Sequence, residues 1–248
     1  MKVSVMGIYF DDLTPEGFAD EAMSCVKSRE KCMVVTPNAE IALAAKQDSE
    51  FRDLINRCRL VLPDGVSIKI AARIIGAPIT RKTPGVEFCE EMCRRLAQIG
   101  GSVYLFGAKP GIAEKAGGNL SARYPGLKIA GTHDGYFTPE QETGIISAIN
   151  AAAPDMLLCC LGAPKQEKFM DKYKDALSVP VMVGAGGSMD VFAGTVKRAP
   201  KLFIKLGLEW FYRLITDPKR IKRMIRIPIY LWDALCYRIK GDKQNAAN

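Results

Sequence analysis

Val103-Tyr104-Leu105-Phe106-Gly107-Ala108-Lys109-Pro110-Gly111 is a short apolar run that breaks at a glycine-rich turn, and a helical stretch to Arg123 follows it. The same unit then recurs. Leu127 to Ala130 leads into Gly131-Thr132-His133-Asp134-Gly135-Tyr136-Phe137 and a helix from about Pro139 to Ala151. Met156 to Leu161 leads into Gly162-Ala163-Pro164-Lys165-Gln166-Glu167 and a helix to about Ala176, and Val181-Met182-Val183 leads into Gly184-Ala185-Gly186-Gly187-Ser188-Met189-Asp190. Strand, turn and helix in alternation are the signature of a parallel sheet covered on both faces. The fold class that follows is α/β, a Rossmann-like parallel sheet with helices on both faces.

Upstream of Val103 the rhythm is looser. Lys2 to Tyr9 reads as a first strand, and Thr14-Pro15-Glu16 as a helix start with Thr as cap and Pro in the first turn. Cys32 to Thr36 is a second strand, ended by Pro37, after which Asn38 caps the alanine-rich helix Ala39 to Lys46. Glu50 to Cys58 is a further helix, and Arg59 to Leu62 a short buried strand. Pro63 stops that strand because it has no N–H to donate. Asp64 is thereby left at a strand's carboxyl end and a helix's mouth, the edge of an open α/β sheet where ligands collect. The competing reading is that Asp64 merely caps the helix that starts at Val66. Gly76 to Gly85 is a basic loop, and Val86 to Gln98 an amphipathic helix.

The 248 residues are 48% hydrophobic, enough for one large core, and the first residues are too short in apolar run for a signal peptide. The apolar stretch from Ile227 to Trp232 is broken by Pro228 and stopped by Asp233, far short of the ~20 residues of a spanning helix. Eight cysteines include no Cys-x-x-Cys pair and only one histidine accompanies them, so they read as buried free thiols in a reducing compartment. Cys159 and Cys160 are expected on opposite faces of one strand. The chain is expected to be soluble and cytoplasmic.

The net charge is +8, and its distribution says more than its size. Val196 to Lys243 carries thirteen Lys/Arg against four Asp/Glu, while the remainder is nearly balanced at 22 against 23. In this tail, Lys201 to Ile215, Lys219 to Ile227 and Ile229 to Lys240 read as helical segments, the last two separated by Pro228. The domain division expected is a body over 1–195 and a basic helical appendage over 196–248. Basic residues interleaved with Ile, Trp and Tyr suit an anionic membrane surface; a nucleic-acid patch and a helix packed on the body are the alternatives.

Several glycine-rich loops on one sheet edge favour a nucleotide cleft, because glycines and helix N-termini let backbone N–H groups approach phosphate oxygens. Neither the dinucleotide fingerprint nor a P-loop is present. No Asp-x-Asp occurs, so a leaving diphosphate would be met by Arg, Lys and backbone donors instead of a divalent ion. Lys197, Arg198, Arg213, Arg220 and Arg223 are the tail candidates, with Arg81 added from its loop position. His133, the lone histidine, is read as a structural partner before a catalyst, and it has no companions for a metal. No cofactor and no metal are expected.

Thr36-Pro37-Asn38-Ala39-Glu40, Leu62-Pro63-Asp64-Gly65, Gly131 to Phe137, Leu161 to Glu167 and Gly186-Gly187-Ser188-Met189-Asp190 stand in order along the chain. With Lys197-Arg198-Ala199-Pro200 and Gly207-Leu208-Glu209-Trp210, they closely resemble the TagA/WecG/CpsF family of bacterial glycosyltransferases. The likeness runs over roughly residues 1 to 240; Met189 stands where that family commonly has Phe, a soft apolar exchange. The resemblance implies transfer of N-acetylmannosamine, or its uronic acid, from UDP to undecaprenyl-diphosphate-linked N-acetylglucosamine, feeding wall teichoic acid or a related surface polymer. It implies an inverting, metal-independent reaction in which Asp64 takes the proton of the acceptor's 4-hydroxyl, carried out by a cytoplasmic protein peripheral on the inner face of the cell membrane. It places Thr36 and Asn38 beside the sugar and diphosphate, and Tyr136, Gln166 and Asp190 on the nucleotide pocket. Arg213, Arg220 and Arg223 fall in the family's basic C-terminal segment. The expected partners are thus a UDP-sugar, a polyprenyl-diphosphate acceptor and the membrane surface, without nucleic acid; a second copy of the chain is left open. The readings from other classes are a non-catalytic nucleotide- or nucleic-acid-binding module and an oxidoreductase.

Overall fold

The chain begins with a hairpin and not with a strand of the main sheet. Lys2–Val5 (β1) and Ile8–Asp11 (β2) pair antiparallel in a sheet of their own, which corrects the single strand expected over Lys2 to Tyr9. The turn is Met6-Gly7, both at positive φ (49° and 87°), the backbone a two-residue hairpin connection requires. These observations come from a computed structural model describing residues 2–77, 79–196, 198–200, 203, 208–216 and 221–246. The side chains of Glu209, Arg213, Thr216, Lys222, Arg223 and residues 241–246 fall outside that description.

The main sheet has six strands, all paired parallel. They are β3 (Cys32–Val35), β4 (Leu60–Val61), β5 (Ser102–Gly107), β6 (Lys128–His133), β7 (Met156–Cys160) and β8 (Val181–Gly184), in the order β4-β3-β8-β7-β5-β6. The hairpin covers the β4 edge: Asp11 Oδ2 accepts from Val61 N at 2.9 Å, so a backbone donor that an edge strand would leave open is satisfied. Strand β6 runs on through His133, past the end expected at Ala130. Gly131 reads as a turn residue, but here it makes room for the Tyr104 ring; a Cβ at that position would lie 2.5 Å from the ring.

Helices pack on both faces of this sheet. On one lie α1 (Pro15–Ser28), α5 (Gly85–Gln98), α6 (Ile112–Arg123) and α9 (Ser188–Phe192); on the other α2 (Ala39–Gln47), α3 (Ser49–Arg57), α4 (Val66–Ile75), α7 (Glu142–Ala152) and α8 (Lys165–Tyr173). Their starts follow local chemistry. Thr14 Oγ1 accepts from Gly17 N, Asn38 Oδ1 from Glu40 N and Ile41 N, and Asp48 Oδ1 from Phe51 N. The period-two alternation of the strands divides the core: Val103 and Leu105 face one side, Tyr104 and Phe106 the other, and Cys159 and Cys160 separate as expected.

The tail comprises α10 (Glu209–Thr216), α11 (Ile221–Met224) and α12 (Arg226–Ala246). Much of the helix expected over Lys201 to Ile215 lies outside the described residues. The expected break at Pro228 does not occur. Pro228 is the third residue of α12, in the first turn, where its missing N–H has no intrahelical partner to lose. Helix α12 packs against α4 and α2, and Tyr230 and Ala234 are buried in the core the hairpin shares. Lys46 pairs with Asp233 at 2.8 Å, and Arg238 donates to the Ile74 carbonyl at 2.7 Å. Among the described residues no helix is long and apolar enough to cross a membrane.

Tyr230 is 2% exposed, and its hydroxyl has no hydrogen-bond partner among the described residues. Tyr230→Ala should therefore cost roughly 3–5 kcal/mol of unfolding free energy. Tyr230→Phe should be neutral or stabilising, since it removes a buried hydroxyl that bonds nothing. Urea unfolding midpoints of the two variants check this; an equal loss in both would show that the hydroxyl, not the ring, matters.

Candidate active site

All six strands of the parallel sheet send their carboxyl ends to one cleft of about 680 Å³. Its wall takes Thr36 after β3, Asp64 after β4, Ala108 after β5, Tyr136 after β6, Leu161 after β7 and Ala185 after β8. The loops are laced by backbone bonds: Ala108 N donates to Cys160 O at 3.0 Å, and Gly135 N to Ala108 O at 2.9 Å. Gly107 makes this approach feasible, with φ at 122° and a Cβ position only 2.4 Å from Cys160 O. No side chain fits there.

Asp64 is half-buried on this wall. Its own N–H donates to Pro37 O at 3.2 Å, and Thr83 N donates to Pro63 O at 2.9 Å, so the segment is fixed from both sides. Gly65, and not Asp64, is the residue at the N-cap of α4. Asp64 thus stands just past a strand end and lines the cleft, at the sheet edge where ligands of open α/β folds collect.

Thr36 is buried and its Oγ1 donates to Gly184 O at 3.0 Å, tying β3 to the end of the central strand β8. Asn38 lines the cleft while its side chain caps α2. Gln166, on the first turn of α8, accepts at Oε1 from Gly186 N at 3.1 Å. Tyr136 is 68% exposed at the mouth, where its ring offers a stacking face. Asp190 lines the wall, with Thr195 Oγ1 at 3.4 Å from Oδ1.

Six residues expected from the sequence, Thr36, Asn38, Asp64, Tyr136, Gln166 and Asp190, therefore meet in one cleft. Arg81 is exposed and is not on the wall; its neighbour Lys82 is. Loop composition located the basic segment, but not which side chain turns inward. Lys197 and Arg220 lie outside the described residues, as do the side chains of Arg213 and Arg223. Arg198 is held by Glu87 at 2.6 Å and Glu90 at 3.4 Å, away from the wall. His133 packs edge-on against Phe106 with ring centroids 5.8 Å apart, and its Nδ1 lies 2.8 Å from Asp134 O, the structural role read for it.

The sequence reading missed Glu40, Lys82 and the tail's contribution of Val196, Trp210, Met224 and Ile227 to the wall, whereas Lys109 lies in one of the glycine-rich loops it placed at this edge. Only a contact between distant segments brings these together, and no local pattern carries it. Glu40 pairs with Arg226 at 3.5 Å, at the start of α12. All eight cysteines are free, and Cys160, on the cleft floor, is pushed up to about 12 by burial, so it stays a thiol.

The description "Glycosyl transferase WecG/TagA/CpsF family" matches residues 3–244 of this sequence. A relative from Bacillus subtilis (strain 168) is 37% identical over 221 residues, 89% of this chain and 83% of the relative. One from Staphylococcus aureus (strain NCTC 8325 / PS 47) is 34% identical over 234 residues, 93% of this chain and 91% of the relative. Both are named N-acetylglucosaminyldiphosphoundecaprenol N-acetyl-beta-D-mannosaminyltransferase.

The Thr36–Gly184 bond gives a direct test of the geometry. Thr36→Val keeps the shape and strands a buried carbonyl, which should cost about 1–3 kcal/mol. Thermal unfolding of the variant checks this, and an unchanged midpoint would contradict the bond.

Proposed function

The chain belongs to the WecG/TagA/CpsF family of glycosyltransferases, and from that premise we propose that it transfers N-acetylmannosamine from UDP-N-acetylmannosamine to the 4-hydroxyl of undecaprenyl-diphosphate-N-acetylglucosamine. Membership makes it an enzyme and sets aside the non-catalytic nucleotide- or nucleic-acid-binding module and the oxidoreductase. The relatives' names favour the amino sugar over its uronic acid as the transferred group. The product is a linkage unit for wall teichoic acid or a related surface polymer.

The observation that carries the mechanism is Asp64 on the same cleft wall as Thr36, Asn38, Tyr136, Gln166 and Asp190. In the proposed step the acceptor's 4-oxygen attacks the anomeric carbon as its proton passes to the Asp64 carboxylate. The bond from that carbon to the diphosphate oxygen breaks, and UDP departs on the opposite face, which inverts the configuration. Charge developing on UDP meets Lys82, Lys109 and backbone donors at helix starts such as α4 and α8, which lack side-chain caps. On the strength of the family resemblance the proposal gives the same task to Arg213, Arg220 and Arg223 of the tail, and to Arg81 of the basic loop. Each well-placed donor is worth about 3 kcal/mol, which replaces what a divalent ion supplies elsewhere. The reaction is then metal-independent.

The tail serves the lipid. Trp232, Leu235, Tyr237 and Ile239 of α12 are exposed beside Arg238 and Lys240, the composition of a surface that rests on an anionic bilayer. In this reading residues 196–248 form the membrane-facing unit and 1–195 the catalytic body, and the enzyme works peripherally at the inner leaflet.

Asp64→Asn should lower kcat about 10²–10⁴-fold and leave UDP affinity, measured by calorimetry, unchanged. A fully active variant would remove Asp64 from the mechanism. EDTA should leave wild-type turnover intact; loss of activity restored by magnesium or manganese would show that a cation does the work assigned to Lys and Arg. A Trp232→Ser, Leu235→Ser double variant should lose co-sedimentation with vesicles containing anionic lipid while keeping its unfolding midpoint. Undiminished binding would contradict the role given to α12.

A further inference from the structure

Glu167 is fully buried, although it follows a residue of the cleft wall. Successive residues on α8 part company here. Gln166 turns to the cleft, whereas Glu167 lies within electrostatic reach of the Cys58 and Cys159 thiols in the core. Burial pushes the Glu167 carboxyl up, opposed by the hydrogen bond from Gln166. Its Oε1 accepts from Gln166 Nε2 at 2.8 Å, and its Oε2 has no hydrogen-bond partner among the described residues. A carboxyl in that position is costly to bury, and an apolar side chain would suit the surrounding core better.

The chemistry of the neighbouring amide accounts for its presence. Gly186 N can only donate, so the Gln166 atom facing it must be the carbonyl oxygen, and the distance is 3.1 Å. An amide turned the other way would set its NH₂ against that N–H. The carboxylate, an acceptor on the far side, holds the NH₂ group and makes one orientation the stable one. Gly184, at the root of the same loop, is held on its other flank by Thr36. The loop from Gly184 to Ser188 is thus clamped from two sides, and one clamp depends on Glu167.

We propose that Glu167 is a positioning residue for the nucleotide-diphosphate donor: it fixes the Gln166 amide so that Gln166 holds the glycine loop after β8 in its ligand-ready position. Glu167 touches no substrate and acts through Gln166 and Gly186. The inference rests on the reading of the cleft as a UDP-sugar site, and direct UDP binding separates the two. A wild-type chain that does not bind UDP overturns the donor site itself; binding that is indifferent to Glu167 overturns only the present proposal.

The test compares Glu167→Gln with Glu167→Met in the full chain. E167Q keeps an acceptor oxygen toward Gln166 and should hold UDP affinity and donor KM within about threefold of wild type. E167M removes the acceptor, should weaken UDP binding and raise donor KM at least about tenfold, and should leave the unfolding midpoint unchanged or higher. Hydrogen exchange at Gly186 should speed up in E167M and not in E167Q. A residue that merely supported the fold would lower the midpoint in E167M without this split. The proposal is overturned if E167M binds UDP as wild type does, or if E167Q fails as badly as E167M. Should E167M not fold, E167A, which admits water beside Gln166, is read against E167Q by the same two criteria.

Discussion

Burial of both sheet faces is the constraint from which the rest of the molecule follows. Helices on both faces bury β3, β4, β7 and β8 completely and β5 nearly so, while β6 at the edge stays half-buried, and the cleft opens at the strands' carboxyl ends. At the carboxyl end, backbone groups leaving the ladder must find new partners. They find them across loops: Ala108 with Cys160, Gly135 with Ala108, Thr36 with Gly184, Gln166 with Gly186. The bonds that complete the fold are thereby the bonds that shape the cleft. A rigid rim of this kind holds catalytic groups without a dedicated scaffold.

What the sequence made legible was local, and what it hid was long-range. The alternation from Val103 onward disclosed β5, α6, β6, α7, β7, α8 and β8 in order, and Pro63 with Gly65 isolated Asp64 at a strand end. Asn38 and Thr14 marked their helices because capping chemistry lies within a few residues. The hairpin was missed because Met6-Gly7 is a weak turn signal inside an otherwise strand-like run. Strand β6 ended early on paper because Gly131 is a poor strand residue unless a ring from the next strand needs its space, as Tyr104 does. Lys82 instead of Arg81, and Glu40 beside Arg226, depend on which way a side chain turns and what a distant segment brings, and neither is written in spacing.

The C-terminal segment has two jobs in one helix. Tyr230 and Ala234 are buried against α2 and α4, while Trp232, Leu235, Tyr237 and Ile239 stay exposed. Upstream, Met224 and Ile227 reach the cleft wall. A segment that touches core, cleft and surface links the site to whatever the surface meets, and the proposed lipid-borne acceptor would give that arrangement a purpose. In the function proposed above, the positive charge concentrated there would meet both a departing diphosphate and an anionic bilayer.

The central claim is that one carboxylate of the three on this wall takes the acceptor's proton. A structure of the chain with UDP and a short-chain lipid-diphosphate-N-acetylglucosamine analogue bound tests it most directly. The account predicts an Asp64 carboxylate oxygen about 3 Å from the 4-hydroxyl, with the diphosphate against the glycine loops. A 4-hydroxyl bonded instead to Glu40 or Asp190, with Asp64 out of reach, would contradict it.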